Sequence, residues 1–539
     1  MTISGNIVDL FKGTIYPGVL EIKDGKIAKI HRAGGKLDTY IIPGFVDAHV
    51  HIESSMLTPS EFARISVIHG TIATVSDPHE IANVLGVDGV RYMINDGSKV
   101  PFRFNFGAPS CVPATDFETS GARIGPEEVK ELLSMEDIKF LSEMMNFPGV
   151  INKDPVVMSK IKIARELGKP IDGHAPGLRG DDLKKYIGEG ITTDHEVLSK
   201  DEALEKIKLG MKIQIREGSA AKNFDDLVDL VDMYPQMCMF YSDDKHPDDL
   251  IKGHINDMVK KAVERGIDVI KVLRCASLNP VLHYKIDMGL LREGDPADFV
   301  IVKDLRSFEI LKVFIRGILV AENGDSLVEK VFSEEVNNFK TGPKNPSDFQ
   351  VKARGNRIKI IGAIDGQIIT QSIVDSPKVK DGFYVSDPDR DILKIAVVNR
   401  YSDTPPAVGF VKNFGLKKGA IASSVSHDSH NIVAVGVSDE DICSAVNLII
   451  EGKGGLSVVS DSIKEFLPLP VAGLMSNKDG FKVAEIYSRI EKVAKDLGAK
   501  LSSPFMTLSF MALPVIPSLK ITDKGLFDVE TFSFTPLEA

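Results

Sequence analysis

Two histidines, His49 and His51, stand two residues apart at the end of the apolar run Tyr40-Ile41-Ile42-Pro43-Gly44-Phe45-Val46. On a β-strand that spacing puts both imidazoles on one face, where they can chelate a single metal ion. The β-branched, aromatic and apolar residues before them are those of a buried parallel strand. His-x-His alone is a weak signal, because most such pairs are chance or surface histidines, and the polar residues elsewhere in the chain decide how it is read.

The elements that must position such a pair recur along the chain. At 539 residues it exceeds what one core usually supports, so two or three domains are expected. From about 41 to 245, short apolar strands alternate with helical stretches, the strands falling at 41–51, 71–77, 102–106, 138–144, 170–174, 190–195, 211–216 and 237–243. This rhythm predicts an α/β fold, a (β/α)8 TIM-like barrel over 41–284, whose active site belongs at the C-terminal ends of its strands. Polar residues fall at those ends: His49 and His51, Ser76-Asp77-Pro78-His79-Glu80, Glu143, Asp172-Gly173-His174, Asp194-His195-Glu196, Arg216-Glu217 and Ser242-Asp243-Asp244. Histidines and carboxylates are the donors of divalent transition-metal sites.

Pro43-Gly44-Phe45-Val46-Asp47-Ala48-His49-Val50-His51, with a strand-5 His, a strand-6 His and a strand-8 Asp, resembles the amidohydrolase superfamily of metal-dependent barrel hydrolases. The detail resembles its adenine deaminase family. The residues concerned are His49-Val50-His51-Ile52-Glu53-Ser54-Ser55, the Ser76–Asn83 motif, Asp172-Gly173-His174-Ala175-Pro176-Gly177-Leu178, Arg216-Glu217-Gly218-Ser219-Ala220-Ala221, Asp243-Asp244-Lys245-His246-Pro247-Asp248-Asp249-Leu250 and Ser426-His427-Asp428-Ser429-His430-Asn431. The likeness spans nearly the whole chain. It implies a small flanking β-sandwich made from 1–40 and 285–345, and strands near Gly18–Ile22, Lys26–Ile30, Gly289–Val302 and 308–322 support it; Asp24-Gly25 is a hairpin signal. Residues 346–539, with strands at Arg357–Ile361 and Ile392–Val398 and amphipathic helices near 439–451 and 482–497, read as a C-terminal α+β domain.

The activity implied is hydrolytic deamination of adenine to hypoxanthine and ammonia, a step of purine metabolism. Water must add at C6 and ammonia must leave, which calls for hydroxide at neutral pH and a proton for a ring nitrogen. Two ions about 3.5 to 4 Å apart that share one hydroxide meet the first need, provided a carboxylate bridges them. Many members of the superfamily bridge with a carboxylated lysine on strand 4, where this chain has Lys139 and Glu143 with the same parity. They lie roughly 13 Å apart at strand rise, so both cannot reach the metals. Glu143 is chosen, as the resemblance also implies.

The expected site has His49, His51 and Asp243 on one ion, His174 and His195 on the other, and Glu143 between them. The ions are expected to be manganese or iron, with zinc as the alternative. Asp243 would also carry the proton from the hydroxide to the departing amine. Asp244 is assigned to a purine nitrogen, with Arg216 and Ser219 as further substrate contacts. Glu80 and Glu217 compete for the acid that protonates the ring, the alternative for either being to fix a metal ligand or a loop arginine. Asp77 and His79 either hold a further ion or orient the donors. His427 and His430 are expected to be solvated surface histidines, with a reach from the last domain to the barrel mouth as the alternative.

Other readings stay open: another amidohydrolase acting on a cyclic amide or N-acyl substrate, or a non-catalytic metal-binding protein. Cytidine-type zinc chemistry lacks its Pro-Cys-x-x-Cys pair. His79-Glu80 and His195-Glu196 lack the second His of the metalloprotease helix, and Gly452-Lys453-Gly454-Gly455 lacks a phosphate-loop context. A net charge of −11, pI near 5.7 and scattered basic residues argue against nucleic acid as partner. Hydrophobic content of 43% and mean hydropathy of +0.00 fit a soluble globular enzyme, and no apolar run approaches the roughly 20 residues of a membrane helix. Dispersed Cys111, Cys238, Cys275 and Cys443 favour reduced thiols, and the amino terminus shows no secretion signal, so a cytoplasmic homo-oligomer acting on a small purine base is expected.

Overall fold

The computed structural model describes residues 1–35 and 37–539. Strands β1 (Thr2–Asp9), β2 (Thr14–Lys23) and β3 (Lys26–Arg32) form an antiparallel meander. Asp24 and Gly25 turn β2 into β3 with φ of 51° and 72°, the left-handed pair that a two-residue Asp-Gly loop supplies. β4 (Tyr40–Pro43) pairs parallel to β1. The expected single strand over 41–51 is therefore two, because Gly44 breaks it before β5 (Phe45–Val50). A Cβ at Gly44 would lie 2.2 Å from Ile72 Cδ1, so a larger residue at this crossing would have to displace that side chain.

β5, β6 (Thr71–Ser76), β7 (Arg103–Ala108), β8 (Ile138–Met144) and β9 (Ile171–Gly173) form one parallel sheet, and β10 (Thr193–Asp194), β11 (Lys212–Arg216) and β12 (Cys238–Tyr241) another. Backbone bonds join the two at both seams. The Thr192 N–H donates to Ile171 O at 3.0 Å, and the Asp243 N–H donates to His49 O at 3.1 Å. Eight parallel strands thus close a barrel whose fifth and sixth strands are shorter than the apolar runs suggest. β5 and β6 are buried along their whole length, as their Val, Ile and Ala content requires when helices cover the outer face.

After the barrel, β13 (Phe299–Val302), β14 (Ile310–Ile315), β15 (Ile318–Glu322) and β16 (Asp325–Ser326) extend the N-terminal meander into one eight-stranded sheet, β13 pairing with β4. That sheet folds over itself: Lys26 bridges Pro296, and the Ile27 N–H donates to Asp295 O at 2.9 Å. Ile7, Leu20, Ile27, Ile41, Phe299 and Phe314 fill the space enclosed.

A second eight-stranded sheet is built from strands between Ile358 and Pro468. Helix Asp439–Glu451, capped by Ser438 Oγ, lays Ile442, Val446 and Ile449 on one face, against Ala396, Ala422 and Ile432. The opposite face, with Ile395, Val411 and Val433, joins the apolar core of the barrel. This docking carries the loop 424–431 and helix Pro504–Phe510 to the mouth of the barrel. Among the described residues no helix is long and apolar enough to cross a membrane.

Candidate active site

Glu143, at the end of β8, lies between two groups of imidazoles. Its Oε2 is 2.7 Å from His174 Nδ1 and 3.0 Å from His195 Nε2; its Oε1 is 3.4 Å from His51 Nε2 and 3.2 Å from His79 Nδ1. Burial opposes its charge, but His195, His174 and His79 hold the carboxyl well below the usual range. His49 Nε2 and His51 Nε2 face each other at 3.2 Å, and Asp243 Oδ1 is 3.6 Å from the first and 3.2 Å from the second. His174 Nδ1 and His195 Nε2 are likewise 3.2 Å apart. Ring nitrogens turned on one another with carboxylate oxygens beside them are spaced as donors around cations at bonds of about 2.0–2.2 Å. The buried donor set therefore fits divalent metal ions. Lys139 is at the other end of β8, its exposed Nζ donating to Glu136 O at 2.7 Å.

Asp243 has φ of 57°, a left-handed turn that Asp tolerates better than most residues. The turn aims Oδ1 at the histidines while Oδ2 accepts from Arg216 Nη1 at 2.7 Å. Arg216 also grips Glu196, Nη2 to Oε2 at 3.1 Å with Nη1 on Oε1. Asp47 supports the same strand end: Oδ1 accepts the Ser242 N–H at 2.9 Å, and Oδ2 pairs with His254 Nε2 at 2.8 Å. Asp244 Oδ1 accepts from Ser54 Oγ at 2.5 Å, and its carboxyl is pushed up by burial against the pull of His427.

Behind His174 and His195 lies a buried clamp. Lys206 Nζ donates to Ala175 O at 2.8 Å, to Asp194 Oδ2 at 2.7 Å and to Glu202. Glu202 in turn accepts the N–H groups of Gly177 at 2.9 Å and Leu198 at 3.0 Å. One helix, Lys200–Lys208, thereby fixes the backbone just after one histidine and on both sides of the other.

The segment beyond 346 closes the mouth. His427 and His430, expected on the surface, are only 2% and 1% exposed, because the second sheet packs its 424–431 loop onto the barrel. Glu80 Oε1 accepts from His427 Nδ1 at 2.5 Å and Oε2 pairs with His430 Nε2. The Ser426 N–H donates to His430 Nδ1 at 3.2 Å, so His430 carries its proton on the Nε2 that meets Glu80. Burial opposes the Glu80 charge, yet His427 and His430 hold its carboxyl well below the usual range. Asp428 is pushed up to about 6 by burial. Phe510, Leu513, Ile516 and Ile368 give the cavity an apolar wall.

The structure gathers His49, His51, Glu143, His174, His195 and Asp243 into one cluster, with Asp244, Arg216 and Glu80 lining the cavity around it. Asp77 Oδ2 meets His79 Nδ1 at 3.0 Å, which orients that ring toward Glu143. Two candidates stand apart. Glu217 is paired with Lys261 at 2.7 Å and Lys222 at 3.3 Å, and Ser219 Oγ donates to Asp249 Oδ2 at 2.7 Å while accepting the His246 N–H. Neither lines the cavity, since the loop after β11 turns them toward the neighbouring loops and helix. Sequence reasoning gave His427 and His430 the barrel mouth only as the lesser alternative and missed Asp428 and the apolar wall; two histidines and an aspartate set between apolar strands were the available signal.

A closed (β/α)8 barrel with this donor set at its C-terminal mouth defines a metal-dependent barrel hydrolase. Residues 40–320 match the Amidohydrolase family, which is metal-dependent, and residues 367–533 match the adenine deaminase C-terminal domain. Adenine deaminases of Salinibacter ruber and Sulfurovum sp. are 54% and 55% identical to this chain, each over 99% of it and over 98% and 99% of their own length. That of Methanosarcina barkeri is 52% identical over 100% of the chain and 99% of its own. The chain belongs to the adenine deaminase family.

Proposed function

We propose that the protein hydrolyses adenine to hypoxanthine and ammonia with two divalent metal ions, manganese or iron before zinc. The observation that carries the reading is Glu143, one carboxylate reaching both His51 and the His174–His195 pair. His49, His51 and Asp243 would hold one ion, His174 and His195 the other, and Glu143 both. Imidazole and carboxylate donors without a thiolate suit first-row divalent ions. When bound, the ions lower the pKa of water so that it attacks at neutral pH.

The chain's own groups do the rest. Asp243, steadied by Arg216, takes a proton from the attacking water and returns it to the leaving amine as the C6–N bond breaks. Of the two candidates for the acid that protonates the ring, Glu80 lines the cavity and Glu217 does not; His427 and His430 hold Glu80 ionised, so a proton for the ring would pass through this cluster and not come from a neutral Glu80. Asp244, fixed by Ser54, reads the purine edge, while Phe510, Leu513 and Ile516 pack on the flat ring and exclude water.

Ammonia release from adenine, adenosine and a cyclic amide by metal-reconstituted protein tests the reading. Adenine should be deaminated faster than adenosine, by up to about 10⁴-fold where a ribose leaves polar groups unpaired. Hydrolysis of the cyclic amide without action on adenine would overturn the assignment.

A further inference from the structure

His427 has one committed nitrogen and one free. Nδ1 meets Glu80 Oε1 at 2.5 Å, and an ionised carboxylate only accepts, so Nδ1 carries a proton. Nε2 is buried with no hydrogen-bond partner among the described residues, Asp244 Oδ1 standing 3.9 Å away, beyond bonding distance. The ring lies along the cavity wall, stacked on Phe510 with centroids 4.5 Å apart and planes 20° from parallel. A buried polar atom without a partner is costly, and His427 is among the residues that line the cavity.

We propose that His427 Nε2 is a substrate contact that bonds an in-plane ring nitrogen of the base, so that the C-terminal segment takes part in choosing the substrate. The proposal rests on the reading of the cavity as an adenine site. The 3.9 Å between Nε2 and Asp244 Oδ1 lets one polar group of a ligand approach both atoms. The wall beside them, Phe510 with Leu513, suits the face of a planar ring whose edge is held by the two polar groups. Burial alone would lower the His427 pKa, but Glu80 and Asp244 raise it to about 9, so Nε2–H donates at neutral pH and its partner is a ring lone pair.

The test compares inhibition by 1-, 3- and 7-deazaadenine in the metal-replete full-length wild type and two variants. His427→Asn places an amide where Nδ1 was and keeps the Glu80 bond; His427→Gln places one where Nε2 was. In the wild type the analogue lacking the contacted nitrogen should bind about tenfold or more weaker than the other two. That deficit should vanish in His427→Asn with metal content unchanged, and return in part in His427→Gln. Unaltered discrimination among the analogues in His427→Asn overturns the proposal. If that variant fails to fold, loss of discrimination in His427→Gln overturns it and retention upholds it. A wild type that deaminates adenine but ranks the three analogues equally refutes the contact alone, whereas one inert toward adenine refutes the contact and the function together.

Discussion

Glu143 Oε2 lies 2.7 Å from His174 Nδ1 while the other oxygen of the same carboxylate faces His51 Nε2 at 3.4 Å. An amide cannot serve two cations as a carboxylate does, so Glu143→Gln should lower bound metal below two per chain and cut activity by orders of magnitude. Lys139→Ala should change neither, and reconstitution should need no bicarbonate, because Lys139 is occupied with Glu136 at the far end of the strand. Metal analysis and turnover of the two variants decide the matter. A Glu143→Gln protein with two metals and normal rate would show the bridge to be misassigned.

Lys206→Met should destabilise the protein by about 3–5 kcal/mol, the usual result of removing one partner from a buried ion pair. Both Lys206 and Asp194 are fully buried, and Glu202 depends on the same lysine. The clamp ends on the backbone beside His174 and His195, so the same variant should also bind the ion of that pair more weakly, by about 10–100-fold as for other groups that orient ligands. Urea unfolding and metal titration measure the two effects separately. Lost stability with unchanged metal affinity would limit Lys206 to a structural role.

The barrel and the convergence of the six candidate donors were legible because both follow from local pattern: short apolar strands recur, and each ends in a polar residue whose strand position fixes its direction. The Gly44 break was hidden because the apolar run continues through it, and the close approach of Ile72 to that glycine is a tertiary contact that the run does not report. His427 and His430 were misread because their burial comes from a segment more than 340 residues away from Glu80, and periodicity reports nothing of such docking. Glu217 and Ser219 follow a strand-end arginine, yet the loop bends them away, and loop direction is not encoded by spacing.

Arg216→Lys should reduce kcat by about 10²-fold with little change in KM and with both metals retained. A lysine offers one ammonium in place of the planar fork that holds both Glu196 oxygens and Asp243 Oδ2, so Asp243 would no longer be fixed against its second partner. Steady-state rates on adenine, with metal content measured on the same samples, provide the check. Near-normal kcat would mean that Asp243 is held sufficiently by its neighbours on the barrel rim.

Lys520 makes stability depend on pH. It is fully buried, its ammonium is met by the carbonyls of Ile368 at 2.8 Å and Phe510 at 2.9 Å, and burial lowers its pKa from 10.5 to about 7. Between those values the unfolded chain binds the proton that the folded chain has lost, so the contribution of Lys520 to stability rises with pH through that window and falls as pH returns to 7. The slope can reach about 1.4 kcal/mol per pH unit for one proton. Lys520→Met has no proton to release, and the stability of the wild type relative to it should therefore grow by about 2 kcal/mol between pH 7 and 9. Ile368 and Phe510 both line the cavity, so the variant should also loosen that wall and raise KM for adenine. Denaturant unfolding of both proteins across this range supplies the measurement. A constant difference between them would show that Lys520 keeps its ordinary charge in the folded state.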